Sequence, residues 1–351
     1  MLYQSQNPHG GDLYTVPVSL DFSSNTNPFG TPQAVRDAVR DVLDALHHYP
    51  DPYCRDLVRA IAAHEGVPES CILCGNGAAE LIFAYCRAVQ PGKALLLAPS
   101  FSEYKSALEE TGCEIEYYRL SEENDFRLTE EFLDTLRRTD AQMLMLCSPN
   151  NPTGALIPRA LLKKICDVCR ARGVRLFLDE CFIELSDSAD AVSIRDRLAA
   201  EPNLFILKAF TKNYGMAGLR LGYCMSSDEA LLQTMGKSVQ PWNVSVPAQA
   251  AGIAALGQTQ FLQKARELIF AERERQTEKL KALGLRVIPS QTNYILFHSA
   301  VELKAPLLRR GILLRSCDNY VGLGEGWYRV AIKLPEENEQ LIKALTEVLH
   351  G

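Results

Sequence analysis

The stretch LKAFTKNYGMAGLRLGY, residues 207–223, sets Lys208 and Lys212 four residues apart and Arg220 eight residues beyond the second lysine. The apolar run LFILKAF that leads into it predicts a buried strand, and LRLGYCM predicts another after a glycine-broken turn. Lys208 falls inside the first strand, where a lysine snorkels to a surface or pairs locally. Lys212 falls just past its carboxyl end, where open α/β sheets bind their ligands.

Working outward, apolar runs and helical patterns alternate from about Cys71 to Met225, with SCILCGN, ALLLAP, QMLMLCSP and RLFLDEC as further strand candidates. Helical spacing covers Ala78 to Val89 and Arg159 to Arg172. The pattern predicts an α/β fold: a large domain whose mostly parallel mixed sheet is covered by helices. After Pro247 a long charged helix ends at Gly284 and leads into YILFHS, WYRVAIKLP and a last helix, a smaller α+β unit. The expected division is an N-terminal segment over 1–45 joining the small domain, a large domain over 46–250 and a small domain over 251–351.

Composition narrows the function. The 351 residues are 47% hydrophobic and 23% charged, enough for a large core, and the formal charge of −6 leaves no basic footprint for nucleic acid. The start lacks a signal-peptide pattern and no apolar run is long enough to span a bilayer, so the expectation is a cytoplasmic protein with no membrane partner. Eleven cysteines, an odd number without a secretory signal, read as reduced thiols. The pairs Cys71/Cys74 and Cys166/Cys169 have zinc-ligand spacing but no complete cluster around them, and no metal is expected.

The residues that follow the strands form a set. Gly75 and Gly77 flank Asn76 before a helix start, either a plain turn or a cradle of free N–H groups for a phosphate. Asn151 follows the third run. Asp179 closes RLFLD, where a buried carboxylate needs a cation, a salt bridge or a helix to cap. Lys212 is an amine that desolvation would turn into a nucleophile toward an aldehyde, and Arg220 is a permanent charge suited to a phosphate. An amine, a phosphate-binding arginine, a carboxylate for a protonated ring nitrogen and a glycine turn together specify a pyridoxal 5′-phosphate (PLP) site, with Lys212 holding the aldehyde as a Schiff base.

SPNNPTG, DEC, TKNYGMAGLRLGY and YRVAIKLPEENEQLIKAL, in this order, resemble fold type I PLP enzymes of the class I/II aminotransferase superfamily across nearly the whole chain. The resemblance implies that Asn151 donates to the cofactor's ring oxygen and that Tyr104 stacks on its ring. Backbone N–H groups of Gly77, Ala78 and Ala79 would join Arg220 at its phosphate, and Arg329 would grip the substrate's α-carboxylate. Ala209 departs from the pattern, because relatives carry a hydroxyl there, which leaves Thr211 as the nearby hydroxyl.

Two branches resemble the chain most: threonine-phosphate decarboxylases and histidinol-phosphate aminotransferases. Both imply a phosphorylated amino substrate, a homodimer with shared active sites, Arg315 at the substrate phosphate and Tyr49 contributed by the partner subunit. NPHGGD resembles the decarboxylases and would bring His9 to the substrate phosphate. The entry segment LDFSSNTNPFGTP, with Asn27 at the substrate, and RSCDNYVGLGEGWYRVAI also resemble that branch. Phe182 stands where aminotransferases place a tyrosine that bonds the ring oxygen, and phenylalanine cannot donate that bond. The resulting expectation is decarboxylation of L-threonine O-3-phosphate, with a histidinol-phosphate or related aminotransferase as the alternative and a PLP-binding protein without turnover as the third reading.

Overall fold

The computed structural model describes residues 9–15, 17–187 and 192–350, so Asn7 and Pro8 of the NPHGGD segment lie outside it. The first strand, β1 (Leu20–Asp21), is followed by the seven that build the main sheet: β2 (Ile72–Gly75), β3 (Lys93–Ala98), β4 (Glu114–Arg119), β5 (Met143–Cys147), β6 (Arg175–Asp179), β7 (Leu204–Ala209) and β8 (Gly222–Met225). Their order is β2-β8-β7-β6-β5-β3-β4. Strands β4, β3, β5, β6 and β7 pair parallel, and β8 runs antiparallel to both of its neighbours. Each strand predicted between Cys71 and Met225 is present. One was not anticipated: β4, EIEYYR, an edge strand whose four central residues are half-buried, Tyr118 packing on one face of the sheet and Ile115 and Tyr117 on the other.

Strand periodicity divides the core. Leu95, Leu97, Leu144, Leu146, Leu176, Leu178, Leu204 and Ile206 pack on one face of the sheet. Ala94, Leu96, Met143, Met145, Cys147, Phe177, Phe205, Leu207 and Ala209 pack on the other, beneath helices Ala78–Val89 and Ser102–Glu110. Asp179, two residues after Phe177, continues this second row.

The C-terminal part builds a four-stranded sheet from β9 (Arg286–Val287), β10 (Tyr294–His298), β12 (Arg315–Ser316) and β13 (Trp327–Ala331). Between them, β11 (Ile312–Leu313) pairs in parallel with β1, which ties the beginning of the chain to its end. The charged helix occupies Thr259–Ala282. Among the described residues no helix is long and apolar enough to cross a membrane.

Candidate active site

The carboxyl ends of β5, β6 and β7 open into a cavity of about 220 Å³, closed from above by residues 9–10 and 23–25 and by Arg315, Tyr320 and Arg329. Its lining carries Lys212, Arg220, Arg315 and Arg329 against one carboxylate, Asp179. Four cations facing one anion make a site for ligands with several negative groups.

Lys212 lies in the turn Phe210–Asn213 that continues β7. Burial pushes its pKa down to about 8, and the charges of Arg329 and Arg220 act in the same direction. Its amine makes no hydrogen bond or ion pair to any described residue. Asn27 fixes the turn from behind: its N–H donates to Lys212 O at 2.9 Å and its amide Nδ2 donates to Asn213 O at 2.8 Å. The side-chain oxygen of Asn27 accepts from Phe29 N–H. The expectation that Asn27 meets the substrate is therefore corrected, since its amide is committed to holding the lysine turn. Asn25 faces the cavity instead, buried with neither amide atom hydrogen-bonded.

Asp179 accepts from Tyr104 Oη–H at 2.6 Å and from Cys181 N–H at 2.8 Å. Burial pushes its pKa up, and these neutral donors only partly offset the effect. A carboxylate so placed gains from a cationic partner on its open side. Tyr104 is fully buried between Asp179 and Phe177, which corrects the expectation that it stacks on a ligand ring. The aromatic that lines the cavity is Phe101, the residue preceding the helix. Spacing alone did not separate the two, because Phe101 has extended backbone ahead of the helix whereas Tyr104 sits in its first turn, packed onto the sheet.

Asn151 spends its carbonyl oxygen on Arg329 Nη1 at 2.5 Å and Tyr320 Oη at 3.2 Å, so its NH₂ is what it has left to offer. Arg329 also donates from Nη2 to Ser23 O at 2.8 Å, while its buried Nε–H has no acceptor. Arg315 lies over the Tyr320 ring and donates to Asn319. Tyr320 thus links Arg315 to Asn151, which Arg329 reaches directly, a role that no local pattern in the sequence reveals.

At the end of β2, Gly77 has φ +83° and its N–H is spent on Gly75 O, which corrects the expectation that it binds a phosphate. Ala78 and Ala79 line the cavity as the first two residues of helix Ala78–Val89, whose opening N–H groups have no intrahelical acceptor. A Cβ at Gly77 would lie 2.5 Å from Arg220 Nη2, so glycine is what lets the guanidinium approach this helix end. Arg220 itself sits at φ +58°, left-handed backbone that costs a non-glycine residue about 1–3 kcal/mol. Thr211 and Phe182 line the cavity, the latter edge-on to Tyr294. His9 lies at the mouth, with Nε2 3.2 Å from Glu103 Oε1. Tyr49 does not line this cavity; it is 79% exposed and stacks on Trp242.

Lys208 is not at a surface. It is buried and ion-paired at 2.9 Å with both Glu65 and Glu184, a correction that the distant position of Glu65 in the chain explains. Glu65 also takes Arg195 and the Tyr223 hydroxyl. All eleven cysteines are buried free thiols, including Cys147 and Cys181 in the cavity lining.

The model of the family "Aminotransferase class I and II" matches residues 17–345. The chain is 39% identical over 338 residues to threonine-phosphate decarboxylase of Salmonella typhimurium, covering 95% of this chain and 92% of that one. It is 32% identical to histidinol-phosphate aminotransferase 1 of Cupriavidus pinatubonensis, covering 94% and 88%. Among solved structures, histidinol-phosphate aminotransferase from Sinorhizobium meliloti, in complex with pyridoxal-5′-phosphate, superposes with a TM-score of 0.82 at 25% identity, over 95% of this chain and 91% of that one. With matches of this extent, the chain belongs to the aminotransferase class I and II family.

Proposed function

We propose that the chain is a PLP-dependent enzyme that decarboxylates a phosphorylated amino acid, L-threonine O-3-phosphate in the leading reading. The observation that carries it is the arrangement of three separate anion-binding points around one buried amine: Arg220 with the Ala78–Ala79 helix start, Arg329, and Arg315 with His9. A cofactor phosphate, a substrate carboxylate and a substrate phosphate account for all three. The higher identity to the decarboxylase supports it, as does Phe182, which puts no hydroxyl in the cavity.

The residues fit the cofactor. Asp179 is a buried carboxylate in want of a cation, Asn151 has an uncommitted NH₂, and Lys212 is desolvated with its pKa near 8. When bound, PLP supplies an electron sink for charge that develops at the substrate's α-carbon. Asp179 would keep the proton on the ring nitrogen, Asn151 would donate to the ring oxygen, and Phe101 would cover one face.

Arg329 holds the substrate carboxylate through its unpaired Nε–H, and Arg315, His9 and Asn25 hold the distal phosphate. These grips would fix the orientation of the substrate's α-carbon and so decide which of its bonds breaks. In the decarboxylation, carbon dioxide leaves and Lys212 returns a proton to the same carbon, giving an amino alcohol phosphate. In the alternative, a histidinol-phosphate aminotransferase, Lys212 takes the α-proton instead; the 32% identity to such an enzyme favours that reading.

The chain would act as a homodimer. Support comes from the exposed apolar side chains Leu43, Leu46, Tyr49, Tyr53 and Trp242, with Tyr49 presented to solvent on the Trp242 ring. The deciding experiment supplies holoenzyme with threonine phosphate and, separately, with histidinol phosphate plus 2-oxoglutarate. Carbon dioxide without glutamate is expected; glutamate without carbon dioxide overturns the reading.

A further inference from the structure

The segment that brings His9 to the cavity is fastened at two points. At one end Gly10 lies so close to Ser23 that a Cβ would stand 2.4 Å from its carbonyl oxygen, and Gly11, at φ +81°, donates its N–H to Ser23 Oγ at 2.7 Å. That same Ser23 carbonyl accepts from Arg329, so the strap starts on the residue that holds the carboxylate-binding arginine. At the other end His9 meets Glu103, in the first turn of the helix that follows Phe101. His9 and Gly10, at the junction of the two anchors, both line the cavity.

Glu103 is out of place on electrostatic grounds. A carboxylate beside an anion-binding cavity repels the ligand unless its charge is answered. Here His9 answers it, and Glu103's carboxyl is held below its ordinary range, with the bond to His9 as the largest cause. The contact of Nε2 with Glu103 fixes the orientation of the His9 ring at the cavity lining.

We propose that Glu103 is a positioning residue for substrate recognition: it latches His9 at the cavity lining so that the imidazole and Arg315 grip one distal phosphate, and it thereby selects phosphorylated over unphosphorylated substrates. The proposal rests on the reading given under Proposed function.

The test is a double-mutant cycle on holoenzyme with Glu103→Ala, His9→Asn and the pair. Each single change is expected to raise KM for threonine phosphate about tenfold, the scale of one charge-assisted bond, with kcat within about twofold. The preference for threonine phosphate over threonine falls by the same factor, and Glu103→Gln, which keeps an acceptor, recovers part of the loss. The double variant is expected to be no worse than either single one. Additive losses, a fall in kcat at unchanged KM, or an unchanged preference would overturn the latch.

If the unsubstituted enzyme turns over neither threonine phosphate nor histidinol phosphate, the functional reading fails, and calorimetry with inorganic phosphate decides the latch. Affinity about tenfold weaker in Glu103→Ala sustains it. Equal affinity, or no phosphate binding to the unsubstituted holoenzyme, overturns it.

Discussion

Lys208 and Lys212 share a strand and its sequel, yet the fold assigns them opposite electrostatics. Lys212 is buried beside arginines and its pKa drops to about 8; Lys208 is buried against glutamates, which outweigh burial and hold its pKa above the ordinary lysine value. For Lys212 the folded pKa lies below the ordinary lysine value of 10.5, so the unfolded chain binds more protons between about pH 8 and 10.5, and stability rises with pH across that window. Apoprotein carrying Lys212→Met should therefore be more stable than wild type at pH 7, by about 2 kcal/mol or more, with the gap closing towards pH 10.5; denaturant midpoints across that range check it. The placement of Lys212 in the cavity with Arg220 was legible because the strand, the turn and Arg220 are all local. The fate of Lys208 was not, because its partner Glu65 arrives from a helix 143 residues earlier.

At the scale of elements, strand periodicity made the main sheet readable, since both of its faces are buried and its runs are apolar. The edge strand β4 escaped because its charged residues look like loop. Side-chain direction at element ends was also illegible: Phe101 and Tyr104, or Asn25 and Asn27, differ only in how a turn rotates them.

Two packing relations here are testable. A Cβ at Gly222 would stand 2.7 Å from the Ala78 backbone nitrogen, so β8 passes behind the start of helix Ala78–Val89 only as glycine. Gly222→Ala is expected to cost about 1–3 kcal/mol and to weaken PLP binding, read by thermal melts and cofactor titration. The Lys208 cluster joins β7 to helix Arg55–Glu65. Burial would raise Glu65, but Lys208, Tyr223 and Arg195 hold its pKa at about 2. Its stabilisation is complete above about pH 4.5 and is lost as pH falls towards 2. Lys208→Met leaves Glu184 without its cation and Glu65 with Arg195 alone, and is expected to cost about 3–5 kcal/mol at pH 7 by denaturant midpoint.

At the scale of the whole molecule, the cavity draws on residues 9–25, on the main sheet and on residues 315–329, so one site gathers side chains from across the chain. The family order of motifs made that convergence legible, although the link through Tyr320 and Asn151 appears only in three dimensions. If Tyr49 completes a second copy's cavity, mixing Tyr49→Ala and Lys212→Ala subunits should restore activity at up to roughly a quarter of the sites, those with both residues intact. No recovery on mixing would argue for self-contained sites.

The most direct measurement is reduction of the purified, cofactor-loaded protein with borohydride, followed by digestion and mass mapping of the phosphopyridoxyl group. The expected result is a single modified side chain, Lys212, with Lys208 unmodified in its glutamate cluster. A label on another lysine, or no label at all, would contradict the account.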